Sequence, residues 1–255
     1  NSVMAKKLIV GNWKMHPGDF EEARGLLKKI KQMSAKAKGA DFMVCPPFVY
    51  LFEAGKILGK GKVCLGAQDL FWEQSGPYTG EISANMLKDA GVKFAIIGHS
   101  ERRALGETDE NVNKKTKAAL KAGISPIICV GERERDSHGY YLAAVKKQIE
   151  QAFSGISASA IKNCIVAYEP LWAVGNSNFE AATPHDALEM AIFIKKTLAD
   201  SHGSKRAHDL RVIYGGSVNQ KNAGEFLREK DIVGLLVGRE SLSAEKFIGI
   251  VSALN

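Results

Sequence analysis

Apolar residues fall along this chain in two alternating rhythms. Eight short, nearly continuous apolar runs recur: KKLIVGNW (6–13), DFMVCPP (41–47), KVCLGAQ (62–68), FAIIGHS (94–100), SPIICVGE (125–132), CIVAYEP (164–170), RVIYGGS (211–217) and GLLVGR (234–239). Between them lie longer stretches such as FEEARGLLKKIKQM (20–33), ETDENVNKKTKAAL (107–120), YYLAAVKKQIEQAF (140–153) and HDALEMAIFIKKTLA (185–199). In these, apolar residues return every three or four positions with charges on the remaining face, which predicts amphipathic helices that cover a sheet on one side. The uninterrupted runs predict strands buried on both faces, and connections of helix length require neighbouring strands to run parallel.

Eight such units, roughly thirty residues apart, fit an α/β fold, a closed (β/α)8 barrel of eight parallel strands whose typical length is about 250 residues. An open doubly wound sheet would be signalled by GxGxxG after the first strand, and GNWKMHPG does not supply it. No composition break or linker divides the chain, so residues 1–255 are expected to form a single domain.

Composition excludes several other classes. With 255 residues, 45% hydrophobic and 25% charged, the chain reads as a globular protein that buries about 70 to 75% of its unfolded surface. No apolar run approaches the roughly 18 residues of a membrane span and no signal-peptide pattern is seen, so a cytoplasmic location without membrane contact is expected. Cys45, Cys64, Cys129 and Cys164 each sit in an apolar run and read as buried small hydrophobes rather than disulfides or metal ligands. The net charge of +7 is spread over helical segments, which fits a mild attraction for anionic metabolites and not a nucleic-acid surface.

In such a barrel the chemistry sits at the C-terminal ends of the strands. Those ends hold Asn12 and Lys14, Gln68, His99 with Ser100 and Glu101, Glu132, Glu169, the YGGSV turn at 214–218 and Gly238. Glu169 closes its run ahead of Pro170, so its carboxylate is expected at the barrel mouth among apolar atoms, where partial desolvation makes it a stronger base toward a carbon-bound proton. A solvated carboxylate opening a loop is the plainer alternative. His99 suits a neutral imidazole that polarises a carbonyl oxygen, and taken alone it reads equally as a hydrogen-bonded core histidine. Asn12 and Lys14 stand two apart and point the same way if extended geometry continues past the strand. Glycines in YGGSV and LLVGRES put bare backbone amides after the last two strands, a setting suited to an anion.

The segments VGNWKM (10–15), CPPF (45–48), YTGEIS (78–83), IIGHSERR (96–103), ICVGE (128–132), AYEPLWAVG (167–175), YGGSV (214–218) and LLVG (235–238) resemble, in order and spacing, the triosephosphate isomerase family along nearly the whole chain. The resemblance implies a homodimeric barrel, free of cofactor and metal, that interconverts dihydroxyacetone phosphate and D-glyceraldehyde 3-phosphate. That family is itself a standard case of a glutamate base, a neutral histidine and loop closure, so these roles come with the resemblance and not from residue spacing. Residue by residue, the resemblance makes Glu169 the base, His99 the electrophile, and Asn12 with Lys14 the oxyanion-stabilising pair. Glu101 matches a carboxylate near the lysine, and Ser100 a serine that contacts the base in the open enzyme. Phosphate-binding amides match Gly175 in a mobile loop, Ser217, Gly238 and Arg239. Pro170 and Trp172 match the lid hinge, and Tyr214 the tyrosine that holds the lid closed. The chemistry is coherent: an enediolate needs a base, a donor facing each developing oxyanion, and exclusion of water.

Three stretches depart from the family pattern. The lid continues with Asn176, Ser177, Asn178 and Phe179, with about two extra residues before Thr183. Arg239 stands where a second glycine is expected; its amide remains available, and the direction of its side chain is left open. The loop DLFWEQSGPYTGE (69–81) carries Phe71, Trp72 and Tyr78, which predict a homodimer contact to which Gln68 and Thr79 also belong. An isomerase of a related ketotetrose phosphate, using the same residues, is the nearest rival. A catalytically dead barrel acting as a binding protein is a further one, against which the intact Asn12, Lys14, His99 and Glu169 set stands. A Schiff-base aldolase would need a lysine inside the barrel where strand six offers glutamate.

Overall fold

Strands form where the uninterrupted apolar runs predict them. In a computed structural model that describes residues 6–173 and 182–254, they are β1 (Lys7–Asn12), β2 (Ala40–Cys45), β3 (Val63–Ala67), β4 (Phe94–Ile97), β5 (Ser125–Val130), β6 (Ile165–Tyr168), β7 (Arg211–Tyr214) and β8 (Gly234–Val237). Each pairs in parallel with its sequence neighbours, and β8 returns to β1 to close the barrel. The helices described are α1 (Phe20–Ser34), α2 (Leu51–Leu58), α3 (Ala84–Asp89), α4 (Ser100–Ala104), α5 (Asp109–Ala122), α6 (Tyr140–Phe153), α7 (Pro184–His202), α8 (Ser204–Asp209), α9 (Ala223–Arg228) and α10 (Ala244–Gly249). Among the described residues, no helix is long and apolar enough to cross a membrane.

Local chemistry starts the longer helices. The Asp19 side chain accepts the Glu22 amide ahead of α1, while Thr108 with Asn111 and Thr183 with Asp186 form reciprocal capping boxes ahead of α5 and α7. Pro184 then sits at the first turn of α7, where its missing N–H costs nothing.

Two apolar layers hold these elements. Inside the barrel, Val10, Met43, Cys45, Ile96, Ile127, Cys129, Ile165, Ala167, Ile213 and Leu236 pack on one another. The larger layer lies between barrel and helices and includes Ile9, Leu27, Phe42, Val112, Ile149, Ile194 and Phe247. Each fully buried side chain of this kind stabilises by about 1.5–3 kcal/mol. An exposed pair such as Lys6–Asp41 contributes about 0–1 kcal/mol, so the apolar layers decide stability. The four cysteines are free, as read from the sequence, and burial pushes the Cys164 thiol up to about 12; Cys64 alone among them is only half-buried.

Closure between β8 and β1 depends on a close backbone approach. Gly234 pairs with Leu8, and a β-carbon at position 234 would collide with the Leu8 carbonyl oxygen. Backbone atoms in a closed barrel cannot step aside, so Gly234→Ala is expected to lower stability by about 1–3 kcal/mol through overpacking. A urea unfolding midpoint equal to that of the parent would contradict this.

Candidate active site

A cavity of about 700 Å³ opens at the C-terminal ends of the strands, lined among others by Asn12, Lys14, His99, Glu169, the turn 215–217 and Gly238. Glu169 continues the ladder one residue past β6, its amide donating to the Val130 carbonyl at 2.8 Å. Its side chain reaches the cavity wall and is only 4% exposed. One carboxylate oxygen accepts the Ser100 amide at 3.3 Å, and the other lies 3.2 Å from His99 Nε2.

His99 caps α4, and its Nδ1 accepts the Glu101 amide at 3.2 Å. A ring nitrogen that accepts carries no proton, so the neutral ring holds its hydrogen on Nε2, directed at Glu169. Burial pushes the imidazole down. The Glu169 carboxylate, through its charge and its hydrogen bond, and then Glu101 act in the opposite sense and raise it above the ordinary histidine value. The upward shift therefore belongs to the present position of Glu169, while burial and the Glu101 amide favour the neutral ring.

Lys14 corrects one expectation. β1 ends at Asn12, and Lys14 adopts the left-handed backbone conformation, φ 56°, so extended geometry does not carry through residues 12 to 14. Such a conformation costs a non-glycine residue on the order of 1–2 kcal/mol. Three hydrogen bonds hold it in place: the Lys14 amide donates to Asn12 Oδ1 at 3.0 Å, and Gln68 Nε2 donates to the carbonyls of Lys14 and Cys45, each at 2.8 Å. Lys14 Nζ then lies 2.5 Å from Glu101, and both Asn12 and Lys14 still line the cavity.

Two polar clusters stand behind the strand ends. Lys115, 3% exposed, bridges Asp69 at 2.7 Å and Glu107, and Glu107 accepts the Gly98 amide at 3.1 Å. Gly98 has φ +72°, and a β-carbon there would lie 2.8 Å from Val112 Cγ2, so the turn presenting His99 requires glycine. Removing one partner of such a buried ion cluster costs about 3–5 kcal/mol. In the second cluster Glu132 Oε1 accepts from Tyr168 Oη and Trp172 Nε1, each at 2.8 Å, and from Arg135 Nε at 3.1 Å. Trp172, matched by resemblance to the lid hinge, is thus tied down through its indole N–H. Burial comes first in raising the Tyr168 hydroxyl and the Glu132 charge adds to it, so Tyr168 stays a donor.

The family model for triosephosphate isomerase matches residues 7–254. The chain belongs to the triosephosphate isomerase family. A triosephosphate isomerase of Thermoanaerobacter pseudethanolicus is 45% identical over 251 residues, 98% of this chain and all of the relative. That of Alkaliphilus oremlandii is 44% identical over 252 residues, with the same coverage. The crystal structure of triosephosphate isomerase from Bartonella henselae superimposes with a TM-score of 0.85 at 37% identity, covering 98% of this chain and 99% of that one.

Triosephosphate isomerase motifs pointed to Asn12, Lys14, His99, Ser100, Glu101 and Glu169, and the fold gathers all six around one cavity mouth. Ser100 contacts Glu169 through its backbone amide. Ser217, Gly238 and Arg239 line the same cavity; the Ser217 hydroxyl donates to Ala173 O at 3.3 Å. Tyr214 is buried and stacked on Phe226 with centroids 4.1 Å apart, and burial raises its hydroxyl. Pro170 is buried and its carbonyl accepts the Ala173 amide at 2.9 Å. Gly175 and the altered lid stretch from Asn176 through residue 181 lie outside the described residues, whereas Ala182 is buried. Gln68, assigned from the sequence to a dimer contact, spends its amide N–H groups on Lys14 and Cys45 of its own chain, and Thr79 is exposed. Glu132 was visible as an acid closing an apolar strand, but without a role. Arg135, Glu107, Lys115 and Asp69 carried no local signal, because their partners lie far along the chain.

The His99 shift has a sign that can be checked. A native value above the unfolded value of about 6.5 means that protonation stabilises the native state fully below about pH 6.5, and this contribution is lost as pH rises through the native value. In the free protein, His99 followed by NMR should titrate above that reference, and Glu169→Gln should move it down. A titration midpoint indifferent to Glu169→Gln would refute the attribution.

Proposed function

We propose that this cavity interconverts dihydroxyacetone phosphate and D-glyceraldehyde 3-phosphate, with Glu169 as the base. The observation that carries the reading is the meeting of Glu169 with His99 Nε2 at 3.2 Å, at the mouth of a cavity that also holds Asn12 and Lys14, in a chain of this family. Glu169 leaves its contacts with Ser100 and His99, takes the proton from the carbon beside the carbonyl, and later returns it to the neighbouring carbon. His99 Nε2–H faces the developing enediolate oxygens and shuttles a proton between them. Asn12 and Lys14 stabilise the oxyanion, and Glu101 holds the Lys14 ammonium. A positioned general base supplies about 10² to 10⁴ in rate, and each well-aimed donor about 3–4 kcal/mol, so both are needed.

In this reading the substrate is a small phosphorylated sugar, and its phosphate lies against the amides of Ser217, Gly238 and Arg239, with Gly175 closing from the lid. Pro170 and Trp172 form the hinge, and Tyr214 holds the closed lid. A hydrogen bond to a charged group is worth about 1.5–3 kcal/mol, so the Trp172–Glu132 contact can bias one hinge state. The enzyme works without a cofactor, in the cytoplasm, in glycolysis and gluconeogenesis. A coupled assay on the purified protein should show turnover of triose phosphate well above that of a tetrose phosphate; the reverse preference would overturn the substrate assignment. Glu169→Gln should lower kcat by several orders of magnitude while hardly changing affinity for a phosphate-bearing inhibitor, and an active Gln variant would remove Glu169 from the role of base.

A second copy of this chain is the proposed partner, meeting it through the loop at 69–81. Met15 at 91% exposure, Val49 at 83% and Leu105 at 83% stand on the loops and turns beyond β1, β2 and β4, beside that loop in barrel order. Within the loop, the Phe71 ring stacks on Trp72 with centroids 4.1 Å apart and meets Tyr78 at a tilt, with centroids 4.8 Å apart. So much apolar surface supports an interface. Thr79 is assigned to the contact, and Gln68 to its edge by way of the Lys14 backbone. Deleting residues 71–77 should give monomers with poor turnover in sedimentation and kinetic measurements, and an unchanged dimer would count against the loop.

A further inference from the structure

Arg239 opens the short turn Arg239–Leu242 directly after Gly238; it is exposed and is among the residues that line the cavity, with Ser217 and Asn219. The other fixed cation of the cavity, Lys14, is drawn to Glu101 at 2.5 Å. The acid next to Arg239, Glu240, faces Lys246 at 3.6 Å. Among the described residues, no ion pair or side-chain hydrogen bond engages the Arg239 guanidinium, so its charge is the one in the cavity rim left uncompensated.

We infer that the Arg239 side chain provides the net positive charge that captures the substrate's phosphate, in addition to the neutral amides of the two glycine turns. The inference rests on the proposed reaction in taking a phosphate ester as the ligand. Backbone amides orient an anion but carry no net charge. A guanidinium offers a planar fork that matches phosphate oxygens bidentately, and its field draws anions toward the mouth. Being exposed, it is screened by salt, so its effect is several-fold and not many orders of magnitude. Because the phosphate is remote from the carbons that exchange the proton, the contact serves ground state and transition state alike and falls on KM more than on kcat.

The test is calorimetric titration with glycerol 3-phosphate, a phosphate ester that has no carbonyl and is not turned over. Arg239→Gln keeps the amide and the aliphatic stem and removes the charge; Arg239→Lys keeps the charge without the fork. Arg239→Gln should weaken binding about five- to tenfold at low ionic strength. The two proteins should converge near about 1 M salt, where the screening length falls to about 3 Å. Arg239→Lys should fall between them. Equal affinities at low salt, or equal salt slopes for the parent and Arg239→Gln, would overturn the inference. Turnover of triose phosphate by the parent, measured separately, reports on the proposed reaction alone: binding that depends on Arg239 without turnover defeats the reaction and leaves the anion role standing, and turnover with binding indifferent to Arg239 does the opposite.

Discussion

Return of β8 to β1 is the constraint on which the site depends. Leu8 pairs with Gly234 and Gly11 with Val237, so the loop after the first strand and the turn after the last become neighbours although more than two hundred residues separate them. Asn12 and Lys14 thereby share one cavity with Gly238 and Arg239, and Ser241 Oγ ties the two loops through the Asn12 carbonyl at 3.4 Å. An open sheet with the same strands would leave Asn12 and Lys14 on one edge and Gly238 and Arg239 on the other.

Rigid strand ends alone would not aim the side chains, and buried polar groups complete the aim. The His99 turn is fastened from below by Glu107 on the Gly98 amide and from the side by Arg103 Nε on the Gly98 carbonyl at 2.9 Å. Lys115 joins Glu107 to Asp69, so the turn carrying His99 and the base of the 69–81 loop share one buried cluster. On the far side, Glu132 gathers Tyr168, Trp172 and Arg135 and fixes the chain where it leaves Glu169. Such clusters are costly to assemble and costlier to break, which makes them suited to holding geometry rather than adding stability.

Charge within the cavity is arranged in pairs that can be exchanged. Glu169 rests on His99 and the Ser100 amide, and Lys14 rests on Glu101. A substrate that draws the carboxylate away also removes the main influence raising the imidazole, and leaves burial together with the Glu101 amide to keep the ring neutral. The carboxylate of Glu169 and the imidazole of His99 are in this way coupled through one contact.

Periodicity alone located every strand to within about three residues, because a strand covered on both faces has to be apolar throughout and a helix lying on it has to be apolar on one side. Glu169 and His99 were legible for a related reason: a charged or titratable residue closing an apolar run stands out locally. Lys14 was not legible in its left-handed form, since the carbonyl is held by Gln68 from 54 positions away. Nor was Gln68 itself, whose polarity reads as surface until the turn it braces is known. Sequence by itself determined the order of elements and the kinds of side chain at the barrel mouth, because both follow from short-range patterns of burial. Only the tertiary structure decided which charges are matched, Lys14 by Glu101 and Lys115 by Asp69 and Glu107, and that Arg239 has no such partner among the described residues. Pairing depends on distances across the closed barrel, and no local pattern encodes them.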